Sequence, residues 1–463
     1  SEDKNLAIKK GKELQNLSSI KDGWISLSNG KIESFGDMTK WPGIDDWNNT
    51  TIIDADNGYL LPTWCDSHTH IVYSGSREKE FSDRISGLTY EEIARNGGGI
   101  LNSSKTLANT SLESLYKQSC KRVEEVIKLG TGALEIKSGY GLNTENEIKM
   151  LQVIKKIKDH YPIEIKSTFL GAHAVPKEYS KEKYISLIQN EMIPEIAKQN
   201  LADYIDVFCE KNYFSVNDTT RILKAASKYN IQAKTHVNQF NILGGVKASI
   251  ENGARSVDHL ENMSDEDYKY LKNSKCIATI LPTCSFFLGI KYSPAKEMIK
   301  KNIPIALASD FNPGSSPSLN MNFVSSLGCI KLKMSSEEVI NATTINGAYA
   351  MGIEKEYGSI CVGKKANLLK NGSCGKRFCN WLPEMPEEIF DHKYVYEEIG
   401  YNLKPIELQA SMGLVQLNKL NEITELRKRN HITLKAIFKP YEEYFLLPEA
   451  TSGADVNWFA FAV

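Results

Sequence analysis

The sequence lacks the features that would mark a membrane-spanning, secreted or nucleic-acid-binding chain. No apolar run reaches eighteen residues, and the polar N-terminus has no signal-peptide pattern. The 56 basic and 57 acidic residues nearly cancel, and no stretch is strongly basic. We therefore expect neither a membrane nor a nucleic acid as a partner.

A disulfide framework is also missing. The nine cysteines are odd in number and scattered, and several lie inside apolar runs, as Cys65, Cys209, Cys276 and Cys284 do. This pattern is typical of reduced, buried thiols, so we expect a cytoplasmic protein.

The first 60 residues predict a small β domain. Apolar and polar residues alternate from Gly23 to Gly36 around the pair Asn29-Gly30, which is a strong hairpin signal. A short strand is predicted at 51–55. We expect a small β-sandwich part at 1–60, completed by residues of about 356–369.

From residue 61 onward, short apolar runs alternate with helical segments. Eight such runs within 61–310 match the strand number and the length of a (β/α)8 barrel, an α/β fold of the TIM type. We therefore predict a barrel domain at 61–355. The predicted strands are 61–66, 132–137, 163–170, 204–210, 232–236, 256–260, 276–282 and 304–310.

Histidines are concentrated where the predicted strands end, which is the edge on which such barrels carry their chemistry. Of the eight histidines, His68, His70, His173, His236 and His259 lie there. His68 and His70 are two residues apart, so an extended chain points both to one side. Alone this pair is weak, since many such pairs are ordinary polar residues, and it needs further ligands.

His236 and Asp310 can supply those ligands. Three histidines and a carboxylate suit one catalytic metal with an open position for water, whose pKa the metal lowers towards neutrality. Asp310 could also take the proton of that water, or it could merely cap a helix. His259 could orient the water or polarise a carbonyl, or it could be a buried core histidine. Lys137 could bridge two metals after carboxylation, but we favour a structural ion pair.

The long segment after the first strand suggests a substrate-binding loop. Arg77 is a candidate for bidentate binding of a substrate carboxylate, the alternative being a solvated surface arginine. Tyr90 lies on the same loop, and Gly97, Gly98 and Gly99 would allow a mobile lid. After the last strand, Asn312-Pro313-Gly314-Ser315 offers backbone N–H groups and a hydroxyl to a polar substrate.

Several stretches, all in order, together resemble the imidazolonepropionase family of the amidohydrolase superfamily. The stretches Lys137-Ser138-Gly139-Tyr140-Gly141 and Asn312-Pro313-Gly314-Ser315-Ser316 are the most specific. The resemblance covers about residues 5–369. The matching stretches are 66–70, 74–78, 97–100, 135–142, 169–176, 206–210 and 309–316.

The resemblance implies a barrel with a small β-sandwich and the hydrolysis of 4-imidazolone-5-propanoate to N-formimidoyl-L-glutamate in histidine degradation. It implies one divalent metal, Zn or Fe, with His68, His70, His236 and Asp310 as ligands. The substrate contacts that it implies are Arg77, Tyr90, Tyr140, His173, Gln239, Asn312, Gly314 and Ser315. We assign Asp310, His259 and Gln239 as catalytic residues.

Gln239 departs from the pattern of many family members, which have glutamate there. Glutamine can hydrogen-bond a ring but cannot shuttle a proton. The chain would then depend more on Asp310 and His259.

The segment 370–463 differs from the rest and resembles a fragment of pyridoxal-phosphate-type nucleotide-sugar 3-dehydratases, which are related to sugar aminotransferases. The cofactor-binding part is absent, so we expect no pyridoxal phosphate and assign this tail no activity. A helix is predicted at 405–429, in a tail that is mostly helical or loosely packed.

Other functions stay open at this point. A purine-type deaminase or another cyclic amidase would use the same metal ligands. A non-catalytic scaffold and a bifunctional fusion are further alternatives. As partners we expect a small substrate with a carboxylate and a second copy of the chain in a homodimer.

Overall fold

The computed structural model describes residues 6–44, 50–55, 58–88, 92–93, 97–371, 378–379, 390–391 and 420–443. The chain divides into two compact units. One comprises 1–77 and 89–403, and the other comprises 78–88 and 404–463. The predicted domain boundary at 370 stays a prediction.

The first unit contains the predicted barrel. Eight parallel strands lie side by side in chain order. The sheet closes where the backbone N–H of Asp310 donates to the carbonyl of His68 at 3.0 Å and that of His70 donates to Phe311 at 2.8 Å. The barrel prediction is confirmed. The strands are β4 Trp64–Asp66, β5 Thr131–Lys137, β6 Glu164–Ala172, β7 Tyr204–Cys209, β8 Gln232–Val237, β9 Ser256–His259, β10 Ile277–Ile280 and β11 Ile305–Leu307.

The barrel strands are buried on both faces because helices cover the outside. All seven residues of β5 are buried, and Leu134, Ile136 and Phe169 belong to the main apolar cluster. This explains why the strands appear in the sequence as nearly continuous apolar runs. The α-helices of this unit are Ile100–Ala108, Leu112–Lys128, Thr144–His160, Lys181–Leu187, Ile193–Lys198, Val216–Ser227, Gly245–Glu251, Asp265–Lys272, Pro282–Leu288, Ala295–Lys300, Met321–Ile330, Ser336–Thr343 and Ile345–Ala350.

Serine side chains fix where many of these helices begin. Ser111, Ser180, Ser215, Ser264 and Ser335 each precede a helix and accept a hydrogen bond from the N–H three residues later. The last three form capping boxes. Such caps satisfy N–H groups that have no partner inside the helix.

Short antiparallel pairs lie outside the barrel, and one of them joins residues near 60 to residues near 370. β1 (Gly23–Ser28) and β2 (Lys31–Asp37) form the predicted hairpin, and Asn29 and Gly30 both have positive φ in its turn. β3 (Tyr59–Pro62) pairs with β12 (Leu368–Asn371). The strand prediction at 51–55 is wrong, because the described residues there form no regular structure. A further pair joins β13 (Phe378–Cys379) and β14 (Phe390–Asp391).

The second unit contains the helices Glu78–Ile85 and Leu420–Phe438. The predicted helix at 405–429 overlaps the longer of these over 420–429, and residues 405–419 lie outside the described part of the chain. Among the described residues, no helix is long and apolar enough to cross a membrane.

Asp66 and Ser309 add a side-chain link between the first and last barrel strands. The Asp66 carboxylate accepts hydrogen bonds from the N–H of Ser309 at 3.0 Å and from its hydroxyl at 2.5 Å. Ser309→Ala should lower the free energy of unfolding by about 1–3 kcal/mol, because it leaves a buried carboxylate oxygen without its donor. Chemical denaturation measures this change. In the exposed hairpin, Ser26→Ala removes a hydroxyl bonded to Glu33 and should change stability by less than about 0.5 kcal/mol. Equal effects of the two substitutions would contradict the closing role.

Candidate metal centre and active site

Histidines from two strands meet at the C-terminal ends of the barrel strands, which we call the rim. His68 and His70 follow β4, and His236 lies near the end of β8. The ring centroids of His68 and His236 are 4.4 Å apart, and those of His70 and His236 are 5.5 Å apart. The structure thus brings the histidine pair together with the ligand predicted from the fifth barrel strand.

Asp310 comes from the last barrel strand. Its Oδ1 lies 3.4 Å from Nε2 of His68 and 3.6 Å from Nε2 of His70. It does not serve as a helix cap, since the next helix, Met321–Ile330, is capped by Asn320. Its φ of 51° is unusual for a residue with a Cβ, and such backbone strain is common at functional sites.

These four residues fit a divalent metal ion. The ligand atoms of His68, His70 and His236 all lie within 4.8 Å of one another, and those of His68 and Asp310 form a second such group with His259. Nε2 of His68 and Nε2 of His236 are buried with no hydrogen-bond partner among the described residues. Burial, reinforced by nearby positive charge, lowers the pKa of His68 and of His70 well below the usual value. Both imidazoles are therefore neutral at pH 7, which is the form that binds metals.

His259 lies beside the metal ligands rather than in the apolar core. Its φ of 85° interrupts the alternation of the strand, so the side chains of both Asp258 and His259 reach the barrel interior. Its ring centroid is 5.2 Å from that of His236. Burial opposes protonation, but the Glu261 carboxylate, 3.3 Å from Nδ1, raises the pKa of His259 above its usual value. This histidine can hold a proton at the rim.

The rim opens into a small cavity. Polar groups line most of its wall. The lining residues are His70, Arg77, Ile100, Tyr140, His173, Phe208, His236, Gln239, His259, Asp310, Asn312 and Ser315.

Arg77 lies inside this cavity and is not a surface arginine, since only 6% of it is exposed. Its Nε donates to the hydroxyl of Ser103 at 2.9 Å, and its guanidinium lies 5.7 Å from the ring centre of Tyr140. Gly314 leaves room for it, because a Cβ at that position would overlap the guanidinium. Ser103 carries no sequence signal of its own and was missed.

The other predicted contact residues occupy the walls in different ways. The Asn312 side chain mainly holds its own turn, accepting from the N–H of Gly314 at 2.8 Å and donating to the hydroxyl of Ser315 at 2.8 Å. Gln239 lines the cavity, and its Nε2 donates to Sγ of Cys284 at 3.4 Å. Tyr90 lies outside the described residues.

His173 and Tyr140 form the opposite wall. The ring of His173 stacks on His70 with centroids 5.3 Å apart, and its Nδ1 lies 2.9 Å from the carbonyl of Gly139. Burial and the nearby His236 lower the pKa of His173 to about 3. The loop that carries Tyr140 is held by Glu147, whose carboxylate accepts backbone N–H bonds from 139, 141 and 142. Glu147 was not predicted, although a glutamate on the apolar side of a helix was a usable signal.

A buried group of charges lies beneath the histidines. Nζ of Lys137 is 2.7 Å from Glu135 and 2.8 Å from Asp206. Although burial opposes protonation, the Asp206 and Glu135 carboxylates raise the pKa of Lys137. A protonated amine does not form a carbamate, so the geometry favours the ion pair over the carboxylated bridge. Neither Asp206 nor Asp258 was singled out from the sequence, although an aspartate inside an apolar strand was a signal for each.

Catalytic residues that come from the ends of several strands are the rule in barrel enzymes. A histidine-rich metal centre at that rim, open to a cavity, is the arrangement of metal-dependent hydrolases. This is the class of protein that the fold and the site define.

Comparison with known proteins gives the family. The amidohydrolase family model matches residues 59–370. The chain is 56% identical over 369 residues to imidazolonepropionase of Christiangramia forsetii, covering 79% of this chain and 89% of that protein. It is 42% identical over 363 residues to imidazolonepropionase of Alkaliphilus oremlandii, covering 78% and 86%. The chain belongs to the amidohydrolase family and, within it, to the imidazolonepropionases.

Solved structures support the fold, and the tail matches a different family. A 5-methylcytosine deaminase from Klebsiella pneumoniae has a TM-score of 0.60 at 15% identity, covering 75% of this chain and 87% of that one. A guanine deaminase from C. acetobutylicum has a TM-score of 0.55 at 18% identity, covering 75% and 84%. Residues 377–463 match the DegT/DnrJ/EryC1/StrS aminotransferase family. The resemblances found in the two parts of the sequence are confirmed.

Proposed function

We propose that the chain hydrolyses 4-imidazolone-5-propanoate to N-formimidoyl-L-glutamate in histidine degradation. The observation that carries this proposal is the single cavity in which Arg77 lies together with His70, His236 and Asp310. A cationic group and a metal centre in one cavity suit a small ring that carries a carboxylate. The relatives that bear the name imidazolonepropionase support the same reaction.

Each end of the substrate has its own residues. The guanidinium of Arg77 binds the propanoate carboxylate, and its bond to Ser103 holds it in place. The ring lies between this arginine and the histidines, against Tyr140 and His173, which line the cavity. Asn312 shapes the turn that presents Ser315 to the substrate.

Hydrolysis adds water to the ring carbonyl carbon and breaks its bond to the ring nitrogen. A divalent metal held by His68, His70, His236 and Asp310 would supply Lewis acidity that lowers the pKa of water. Asp310 takes a proton from the attacking water and returns it to the departing nitrogen. His259 faces the carbonyl oxygen of the substrate and donates a hydrogen bond to it.

Gln239 can bind the ring but cannot transfer a proton. It lines the cavity next to Cys284, where its amide can meet a ring nitrogen. Proton transfer is therefore left to Asp310 and His259.

The metal that we propose is zinc or iron, because imidazole nitrogens with one carboxylate suit both ions. We place the activity in the cytoplasm, in keeping with the free thiols of the described residues, of which Cys65, Cys209, Cys276, Cys284 and Cys361 are buried. The small carboxylate-bearing substrate is the partner that this site supports. The predicted homodimer stays a prediction.

A direct assay tests the proposed reaction. Protein loaded with Zn²⁺ or Fe²⁺ should remove the ultraviolet absorbance of imidazolonepropionate, and removal of the metal with a chelator should stop this reaction until metal is added back. The absence of turnover with either metal would contradict the proposal. The alternative of a purine-type deaminase predicts release of ammonia from an aminopurine ring, which we expect not to occur.

A further inference from the structure

A single lysine beneath the cavity touches two carboxylates, each of which touches a histidine of the candidate metal centre. Nζ of Lys137 lies 2.8 Å from Oδ2 of Asp206 and 3.6 Å from Oδ2 of Asp258. The same oxygen of Asp206 is 2.9 Å from Nδ1 of His236, and that of Asp258 is 2.7 Å from Nδ1 of His68. One amino group on β5 thus reaches ligands on two other strands.

The second oxygen of each carboxylate is also held. Oδ1 of Asp206 accepts from the backbone N–H of His236 at 3.0 Å. Oδ1 of Asp258 accepts from the hydroxyl of Ser256 at 2.6 Å. Each carboxylate is therefore held at Oδ1 by a nearby donor and at Oδ2 by Lys137, so loss of Lys137 would change the position of the oxygen that meets the imidazole.

The carboxylates decide which ring nitrogen faces the metal. A carboxylate next to Nδ1 favours the tautomer that carries its proton there, so the lone pair of Nε2 points the other way. In His68, Nδ1 has its carboxylate partner, and Nε2 is the buried atom without a hydrogen-bond partner among the described residues. In His236, Nδ1 lies 2.9 Å from the Asp206 carboxylate, and Nε2 is buried without a partner among the described residues. The carboxylates of Asp258 and Asp206 therefore set the tautomer and the ring orientation of His68 and His236.

Lys137 also balances the charge of this group. The side chains of Lys137, Glu135, Asp206 and Asp258 have no exposed surface. Carboxylates packed this closely repel one another in a medium of low polarity, and a central ammonium offsets that repulsion. Lys137 is not part of the cavity wall, so it can affect the metal centre only through its neighbours.

We propose that Lys137 is a positioning residue that fixes the metal-binding geometry of His68 and His236 through Asp258 and Asp206. The proposal rests on the metal centre of the proposed function. It assigns to this lysine a role in metal affinity, beyond a contribution to the stability of the barrel.

The test measures metal affinity, which does not depend on turnover. Full-length apo-protein is titrated with Co²⁺ against a competing chelator, and the visible spectrum of bound Co²⁺ reports ligand geometry. Lys137→Met should weaken Co²⁺ binding by about 10- to 100-fold, as is usual when support of a metal ligand is lost. The variant should also change the Co²⁺ spectrum.

Lys234→Met is the matched control. Lys234 is equally buried and contacts the same Glu135, but its other described contacts are the carbonyl of Ser67 and the ring of Tyr204 rather than Asp206 or Asp258. It should lower the melting temperature while leaving the Co²⁺ affinity within about threefold of wild type, less than the loss expected at a supporting residue.

Three results would overturn the proposal. Failure of the wild-type protein to bind Co²⁺ would remove the metal centre itself. Wild-type binding with an unchanged affinity in Lys137→Met would remove only the positioning role, and so would equal losses in the two lysine variants. If Lys137→Met does not fold, Lys137→Gln, which keeps an amide N–H donor for a carboxylate, replaces it in the test. This variant should also weaken Co²⁺ binding.

Discussion

Replacing His236 by alanine is expected to abolish metal retention and hydrolysis together. His236 is the histidine whose ring lies closest to that of His68, and its Nε2 is buried without a partner among the described residues. Without it, three protein ligands are left, and we expect the metal to be lost. Water at the centre then keeps a pKa far above neutral. We expect kcat to fall by more than about 1,000-fold, since a bound metal lowers the pKa of water from 15.7 to about 7. The absorbance assay and a metal analysis of the purified variant measure both losses.

A second histidine provides the control for this substitution. His160 lies at the end of the helix Thr144–His160, beside Tyr116 and Tyr161. His160→Ala should retain metal content and activity. If His236→Ala kept full activity, His236 would have to be removed from the ligand set, and the metal centre would need another donor.

The barrel was predictable because burial on both faces leaves a direct trace in the sequence. Its strands, such as Thr131–Lys137 and Tyr204–Cys209, are short apolar runs, and capped helices separate them. Their number and spacing leave few alternative folds. The small sheets were less predictable. Residues 51–55 begin with three β-branched residues, which favour a strand, but strand formation depends on a partner that local sequence does not specify.

Candidate ligands were predictable for a related reason. The end of each strand lies at the same rim, so His68, His70, His236 and Asp310 could be brought together without coordinates. The supporting residues were not, because their roles depend on which strands are neighbours and on how far side chains reach. Asp206 and Asp258 are one example, since each supports a histidine from another strand.

Replacing Arg77 by methionine is the second substitution for which we expect a large effect. Methionine fills a similar volume, so the loss of charge is the main change. Truncating one partner of a buried, hydrogen-bonded charge pair costs about 2–5 kcal/mol. At 1.36 kcal/mol for each factor of ten, kcat/KM should fall by about 30- to 5,000-fold. Arg221, which forms an exposed ion pair with Glu182, provides the control, and Arg221→Met should leave kcat/KM unchanged.

The same variant can show which part of the substrate Arg77 binds. An imidazolone whose side chain ends in a methyl ester has the same ring but no carboxylate. If Arg77 binds the propanoate, this ester should be a poor substrate of the wild-type protein, and Arg77→Met should not reduce its turnover further. The two changes would then remove one shared interaction, and their effects would not add. Additive losses would mean that Arg77 acts on the ring, and the carboxylate would need another cation in this cavity.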